Sequence, residues 1–145
     1  MILIDDFYLK QPQREIHLDL TQNDELLMAE FLALCKNAEP EVIVAEGIEA
    51  NYILRLLPEI QHYCGAIALK QPLCDKIDFT ALEHYYFTQP KASRFSIQIQ
   101  LDTADPNFSK LNTLFYMIDA EENFDSAVSE LKNTYFLWGS EDTTD

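Results

Sequence analysis

The chain has 145 residues, of which 48% are hydrophobic and 12% aromatic, so it is long and apolar enough to fold around its own core. Its 25 acidic and 10 basic residues give a formal net charge of −15. This charge disfavours direct binding to nucleic acids or anionic membrane surfaces, because their phosphates need lysine and arginine opposite them. We expect one globular domain over residues 1–145, with a mobile tail at 139–145 and a basic protein as the natural partner.

No targeting or membrane-spanning segment is expected from the sequence. Asp5 and Asp6 interrupt the first apolar run too early for a signal peptide, and no run approaches the length of a membrane span. The odd number and wide spacing of Cys35, Cys64 and Cys74 suit reduced thiols. These features predict a cytoplasmic protein.

The first forty residues predict a β-hairpin followed by a helix. Residues 1–9 and the alternating residues 15–20 have strand patterns, and Gln11-Pro12-Gln13 is expected to be the turn between them. The helix is predicted over residues 24–37 from its apolar face, and Thr21 with Asp24 is expected to cap it.

Residues 40–73 predict the centre of the fold. Two strands, Val42–Val44 and Ala66–Leu69, flank a helix with an apolar face, and such a β-α-β crossover buries both strands in the middle of a sheet. Pro58 predicts either a kink or two short helices. The side chains expected to be buried are Val42, Val44, Ile53, Leu57, Ile60 and Ile67.

Two segments of the second half are harder to interpret. Residues 78–87 fit a helix capped by Asp78 or a strand equally well, whereas the composition of residues 111–118 favours a strand. Residues 94–103 alternate apolar and polar side chains, which predicts a strand with one polar face, as antiparallel sheets permit. A last helix is expected over residues 121–136.

Together these elements predict an α+β fold. We expect a single domain with a mixed sheet of about five or six strands, three or four packed helices and one central β-α-β crossover.

The common catalytic and metal-binding motifs are missing from the sequence. The three glycines are too far apart for a phosphate-binding loop, and no zinc-type spacing of cysteine and histidine occurs. Glu46 and Glu49 are the best candidates for catalysis, because they follow a central strand. We nevertheless expect no enzymatic activity, no cofactor and no metal.

The acidic residues carry the functional prediction. From Asp119 to the C-terminus, eight acidic residues accompany one lysine, with Trp138 among them. Aromatic anchors ringed by charge of one sign are typical of protein interfaces, although a solvated helix face with Trp138 closing over the core is an equal alternative. The predicted partner-binding residues are Asp119, Glu121, Glu122, Asp125 and Trp138, with a second cluster at Asp102 and Asp105.

In size, charge and composition the chain resembles the immunity proteins of bacterial toxin–immunity pairs. The resemblance implies a monomer that blocks the active site of a basic toxin domain, with a nuclease as the expected toxin, since acidic side chains can satisfy cations that hold phosphates. The alternative is a secretion chaperone or adaptor, a dimer that holds an effector segment in an extended apolar groove. A stable dimer of the isolated protein would favour the chaperone.

Overall fold

The structure is a computed structural model that describes residues 2–6, 11–19, 21–38, 42–88 and 96–130. These residues form six strands and five helices, in the order β1 (Ile2–Asp6), β2 (Gln11–Ile16), α1 (Asp24–Ala38), β3 (Val42–Glu46), α2 (Gly47–Ile60), β4 (Ala66–Lys70), α3 (Phe79–Thr88), β5 (Ser96–Gln100), α4 (Phe108–Leu114), β6 (Tyr116–Ile118) and α5 (124–130).

The strands form one mixed sheet in the order β2-β1-β3-β4-β5-β6. β1 is antiparallel to both β2 and β3, whereas β3, β4, β5 and β6 are parallel to one another. The α+β class, the mixed sheet and the central β3-α2-β4 crossover are therefore confirmed. Two further crossovers, β4-α3-β5 and β5-α4-β6, extend the parallel half of the sheet.

The two faces of the sheet are covered differently. Parallel strands that follow one another in sequence order place their right-handed crossover helices on the same face. On that face, Ile43, Ile67 and Ile99 belong to a core that includes side chains from α1, α2, α3 and α4. On the opposite face, α5 packs its apolar side chains against small and β-branched residues of the strands; this second core contains Val42, Ala66, Ala68, Ile118, Phe124, Ala127 and Val128.

Most of the residues that were expected to be buried around the central crossover are buried. All are fully buried except Val44, which is half-buried and packs against the second core. α2 runs without a break through Pro58, so the expectation of two short helices is wrong. Because Pro58 lies in the last turn, its missing N–H removes only one bond of the helix, which ends two residues later at Ile60.

The opening hairpin is confirmed, but its second strand is Gln11–Ile16, whereas residues 15–20 were expected. Residues 17–19 are not part of a strand. Gln11 pairs with Asp6, so residues 11–13 belong to β2 and do not form the turn. The Thr21/Asp24 capping pair predicted for α1 does not form, because the backbone N–H and the hydroxyl of Thr21 both donate to Asp19 Oδ1. Asn23 is the residue whose Oδ1 accepts the N–H of Glu25, at 2.8 Å, since it stands directly before the first helical residue.

Of the two ambiguous segments, residues 78–87 are almost entirely helical, whereas residues 111–118 are divided between the end of a helix and a short strand. Asp78 caps α3 by accepting the N–H of Ala81 at 3.0 Å. The strand predicted for residues 111–118 is wrong at its start, since residues 108–114 form α4 and only Tyr116–Ile118 form β6. A strand parallel to β5 needs a crossover, and α4 supplies it while burying Leu111 in the core.

β5 is confirmed as a strand, but its expected setting is wrong. It lies between β4 and β6 and is parallel to both, so its polar face is not the open face of an antiparallel sheet. The last helix starts at residue 124 and not at 121, because Asn123 Oδ1 accepts the N–H of Ser126 at 3.0 Å. Residues 131–136 of that predicted helix and the tail 139–145 lie outside the described residues.

Candidate functional site

The carboxyl ends of the four parallel strands meet at one edge of the sheet. β3 passes directly into α2 there, and the loops 71–78, 101–107 and 119–123 leave β4, β5 and β6 at the same edge. In open α/β sheets this edge is where ligands generally bind.

The first two connections at this edge are tied together by α2. Gly47 begins α2 with a φ of 65°, a conformation that glycine adopts at little cost, and its carbonyl accepts the N–H of Leu73 at 3.1 Å. The buried Asn51 side chain donates its Nδ2 to the carbonyls of Leu73 at 3.0 Å and Asp75 at 2.5 Å. The start of α2 therefore holds residues 73–75 of the loop after β4.

Two glutamine side chains connect the remaining loops. The side chain of Gln71 accepts the backbone N–H of Asp102 on Oε1 at 3.3 Å. The backbone N–H of Gln71 donates to the carbonyl of Gln100 at 2.7 Å. Gln100, only 4% exposed, donates its Nε2 to the carbonyls of Asp119 and Glu122, each at 2.8 Å. A continuous set of hydrogen bonds thus runs from α2 through the loops after β4, β5 and β6.

The acidic residues of these loops shape the turns on which they lie. Asp102, Asp105 and Asp119 each accept, on Oδ1 and at 2.8–2.9 Å, the backbone N–H of the residue two positions later. Asp side chains favour turns for this reason. Glu121 and Glu122 follow on the last turn, and both are exposed.

Two large apolar side chains are exposed beside these acids. Ile48 at the start of α2 is 43% exposed, and Leu73 in the loop after β4 is 50% exposed. The hydrogen bond between the Leu73 N–H and Gly47 brings the two segments together. We call the whole region the carboxyl-edge surface, and it consists of Glu46, Ile48, Leu73, Asp75, Asp102, Asp105, Asp119, Glu121 and Glu122.

The structure brings most of the predicted partner-binding residues together. The predicted clusters at Asp102–Asp105 and at Asp119–Glu122 lie on adjacent loops of the carboxyl-edge surface. Asp125 is exposed in the first turn of α5, next to this surface. Trp138 lies outside the described residues.

Sequence reasoning missed Ile48 and Leu73, because a single apolar residue in a sequence is normally assigned to the core. Their place at the carboxyl end of the central strands is the signal that could have found them. Of the two catalytic candidates, Glu46 is exposed on this surface and Glu49 is buried in the first turn of α2.

Side chains on the loops after β4 and β5 influence one another electrostatically. Burial raises the pKa of the Cys74 thiol to about 11, and the carboxylate of Asp105, on the neighbouring loop, adds to the increase. Lys70 lies at the end of β4. Its Nζ is 5.9 Å from the centroid of the ring of Phe124, which belongs to α5. This position is consistent with a cation–π contact.

Asp24 fixes the outer side of the loop after β4. Its carboxylate accepts hydrogen bonds from Lys76 Nζ at 3.1 Å, the Tyr52 hydroxyl at 2.9 Å and Arg55 Nη1 at 3.2 Å. These bonds hold the pKa of Asp24 below its usual value, and the bond from Lys76 has the largest effect. One carboxylate therefore joins α1, α2 and the loop 71–78.

Among the described residues, no three histidine, cysteine or acidic side chains are grouped so that they could hold a metal ion. No helix in the described ranges is both long and apolar enough to cross a membrane. Comparisons with protein-family models, with curated proteins and with solved structures found no match to this chain.

Proposed function

We propose that the protein is an inhibitor of the immunity type, which binds a basic toxin domain through the carboxyl-edge surface and blocks its active site. The observation that carries the proposal is the meeting of both predicted acidic clusters on loops joined by hydrogen bonds. A surface fixed in this way loses little conformational freedom on binding, which favours affinity.

The chemistry of the surface fits a nuclease as the partner. Nucleases hold phosphates with lysine and arginine, and carboxylates at fixed positions can replace the phosphates as partners of these cations. Complementary charge also speeds the encounter, by factors of about 10 to 1000 in steered pairs. Ile48 and Leu73 supply the apolar contact area that slows dissociation.

The test measures binding to the product of the neighbouring gene, since toxin and immunity genes are usually adjacent. Association rates are recorded by stopped flow at low and high salt, together with inhibition of the partner's nuclease activity. We expect association to slow at least about tenfold at high salt, because exposed charges are screened over a Debye length of about 10 Å at 0.1 M.

A matched pair of charge-reversal variants separates the local surface from the overall charge. Asp102→Lys, Glu121→Lys and Glu122→Lys together change the carboxyl-edge surface. Glu30→Lys, Glu59→Lys and Glu130→Lys together change exposed acids elsewhere. Each set raises the net charge by 6, from −15 to −9.

We expect the carboxyl-edge variant to slow association at least about tenfold more than the control variant does, and to lose inhibition. Equal effects of the two variants would show that only the total charge matters. Salt-independent association, or a partner that stays active in the complex, would contradict the proposal itself.

The apolar pair gives a second readout of the same interface. Replacing Leu73, which is half exposed in the unbound protein, by alanine should speed dissociation about tenfold and leave the association rate nearly unchanged. Leu26→Ala is the control, because Leu26 is equally exposed on α1 and lies outside the carboxyl-edge surface.

A further inference from the structure

A cleft of about 200 Å³ lies on the helical side of the sheet, apart from the carboxyl-edge surface. It opens between α2 and α3, with α1 and the end of the loop 71–78 completing its walls, and we call it the α2–α3 cleft. Its apolar lining comes from Met28, Leu54, Pro58, Ile77, Ala81 and Leu82. Leu54 and Leu82 are buried residues of the main core, so the cleft reaches that core.

Two cations line the cleft and share a single carboxylate. Arg55 Nη1 and Lys76 Nζ bind the same oxygen, Oδ2 of Asp24, at 3.2 and 3.1 Å. A guanidinium has five N–H donors and an ammonium has three, so both groups keep donors for a second anion. Among the described residues, this trio carries one positive charge in excess.

Asp78 also lines the cleft and would oppose an anion there. Its Oδ1 accepts the N–H of Ala81 at the start of α3, where the positive end of the helix dipole offsets part of its charge. With Asp78 counted, the two positive and two negative groups at the cleft balance, and the positive groups lie together on the side of Arg55 and Lys76.

The size of the cleft limits what it can hold. An apolar cavity of about 150 Å³ holds one benzene molecule, so about 200 Å³ has room for a ring with a short arm. We propose that the α2–α3 cleft binds a small carboxylate with an apolar body, which packs on the half-buried Met28 and Ile77 while its carboxylate binds Arg55 and Lys76. This ligand site is separate from the proposed interface and does not depend on the inhibitor function.

The test uses 3-phenylpropanoate as the probe. Its binding is measured by calorimetry and by the NMR shifts of the amides around the cleft. We expect saturable binding with a dissociation constant below about 5 mM. The uncharged 3-phenylpropanamide should bind at least about tenfold more weakly, because it lacks the charge that the cations recognise. Propanoate, which lacks the ring, should also bind at least about tenfold more weakly.

Three variants locate the site. Ala81→Phe fills the cleft from the exposed side of α3, and Lys76→Gln removes one cation; each should weaken binding of 3-phenylpropanoate at least about tenfold. Lys36→Gln removes an exposed cation near the other end of α1 and should leave binding unchanged. Met28→Phe, which narrows the cleft from α1, replaces Ala81→Phe if thermal unfolding shows that the latter is not folded.

Three outcomes would overturn the proposal. The first is no saturable binding of 3-phenylpropanoate in the millimolar range. The second is equal affinity for the acid and the amide, which would show that the cations do not recognise the ligand. The third is binding that survives in the folded cleft-filling variant, which would place the ligand elsewhere on the protein.

Discussion

Replacing Gln100 tests whether hydrogen bonds fix the acidic loop after β6. The buried Gln100 amide donates to the carbonyls of Asp119 and Glu122, both at 2.8 Å. Gln100→Leu removes both bonds but keeps a side chain of similar size. At a net 0.5–1.5 kcal/mol for each bond, we expect the free energy of unfolding to fall by about 1–3 kcal/mol in urea denaturation.

Gln98 provides the control, because it lies on the same face of the same strand and makes neither of these bonds. Gln98→Leu at this half-buried position should change the free energy of unfolding by less than about 0.5 kcal/mol. Amide hydrogen exchange should become faster across residues 119–123 in Gln100→Leu alone. A loss below about 0.5 kcal/mol in Gln100→Leu, with exchange unchanged, would refute the reasoning.

Gln100→Glu sharpens the test through its pH dependence. An ionised carboxylate would face two carbonyl oxygens in a buried position, so its pKa should rise in the folded state above the unfolded value of about 4.3. A raised folded pKa means that the variant regains stability below about pH 4.3 and loses it as the pH rises through the folded pKa. A stability difference from wild type that stays constant between pH 4 and pH 8 would contradict this assignment.

Three further predictions concern the body of the fold. Leu57→Ala should lower the free energy of unfolding by about 2–5 kcal/mol, since Leu57 is fully buried in the main core; a loss below about 0.5 kcal/mol in urea would place it outside the core. Asp24→Asn should destabilise the protein at pH 6, and because the folded pKa of Asp24 lies below its usual 3.8, this difference should shrink as the pH falls below about 4. Urea titrations at pH 6 and pH 3 measure that shrinkage, and an unchanged difference would count against the ion pairs. Desolvation raises the pKa of the buried Cys35 to about 12 and of the half-buried Cys74 to about 11, so peptide mapping should show slow alkylation of both at pH 7.5, and rapid labelling of either would contradict its raised pKa.

The fold was predictable wherever a local pattern extended over a whole element. The β-branched run at Val42–Val44 and the apolar face of the following helix were enough to predict the central crossover. Residues 111–114 were predicted as strand, because a helix of seven residues makes only two turns and the residues directly after it, Phe115 to Ile118, have the composition of a strand. The existence of α4 follows from the parallel pairing of β5 and β6, which is a property of the whole sheet.

The candidate site was predictable in composition but not in arrangement. The acidic side chains were visible in the sequence, yet only the strand order brings the loop of Asp102 beside the loop of Asp119. The contacts that join the loops are made by Gln71 and Gln100, and glutamine in a sequence carries no sign of which backbone groups it will bind. The exposure of Leu73 depends in the same way on a tertiary contact, the hydrogen bonds from Asn51.

The two faces of the sheet are covered by different helices, and this has a consequence for synthesis of the chain. The crossover helices of one face alternate with the strands in sequence, so that face can be covered as the chain grows. The other face, with Val42 and Ala66, is packed by α5, which is made last of the described elements. At about 5–20 residues per second, the roughly 86 residues from Val42 to Val128 take on the order of 4–17 s to translate. During that interval the nascent chain lacks the apolar side chains of α5 that pack on this face, so ribosomes that stall before Phe124 should release chains that aggregate or recruit chaperones.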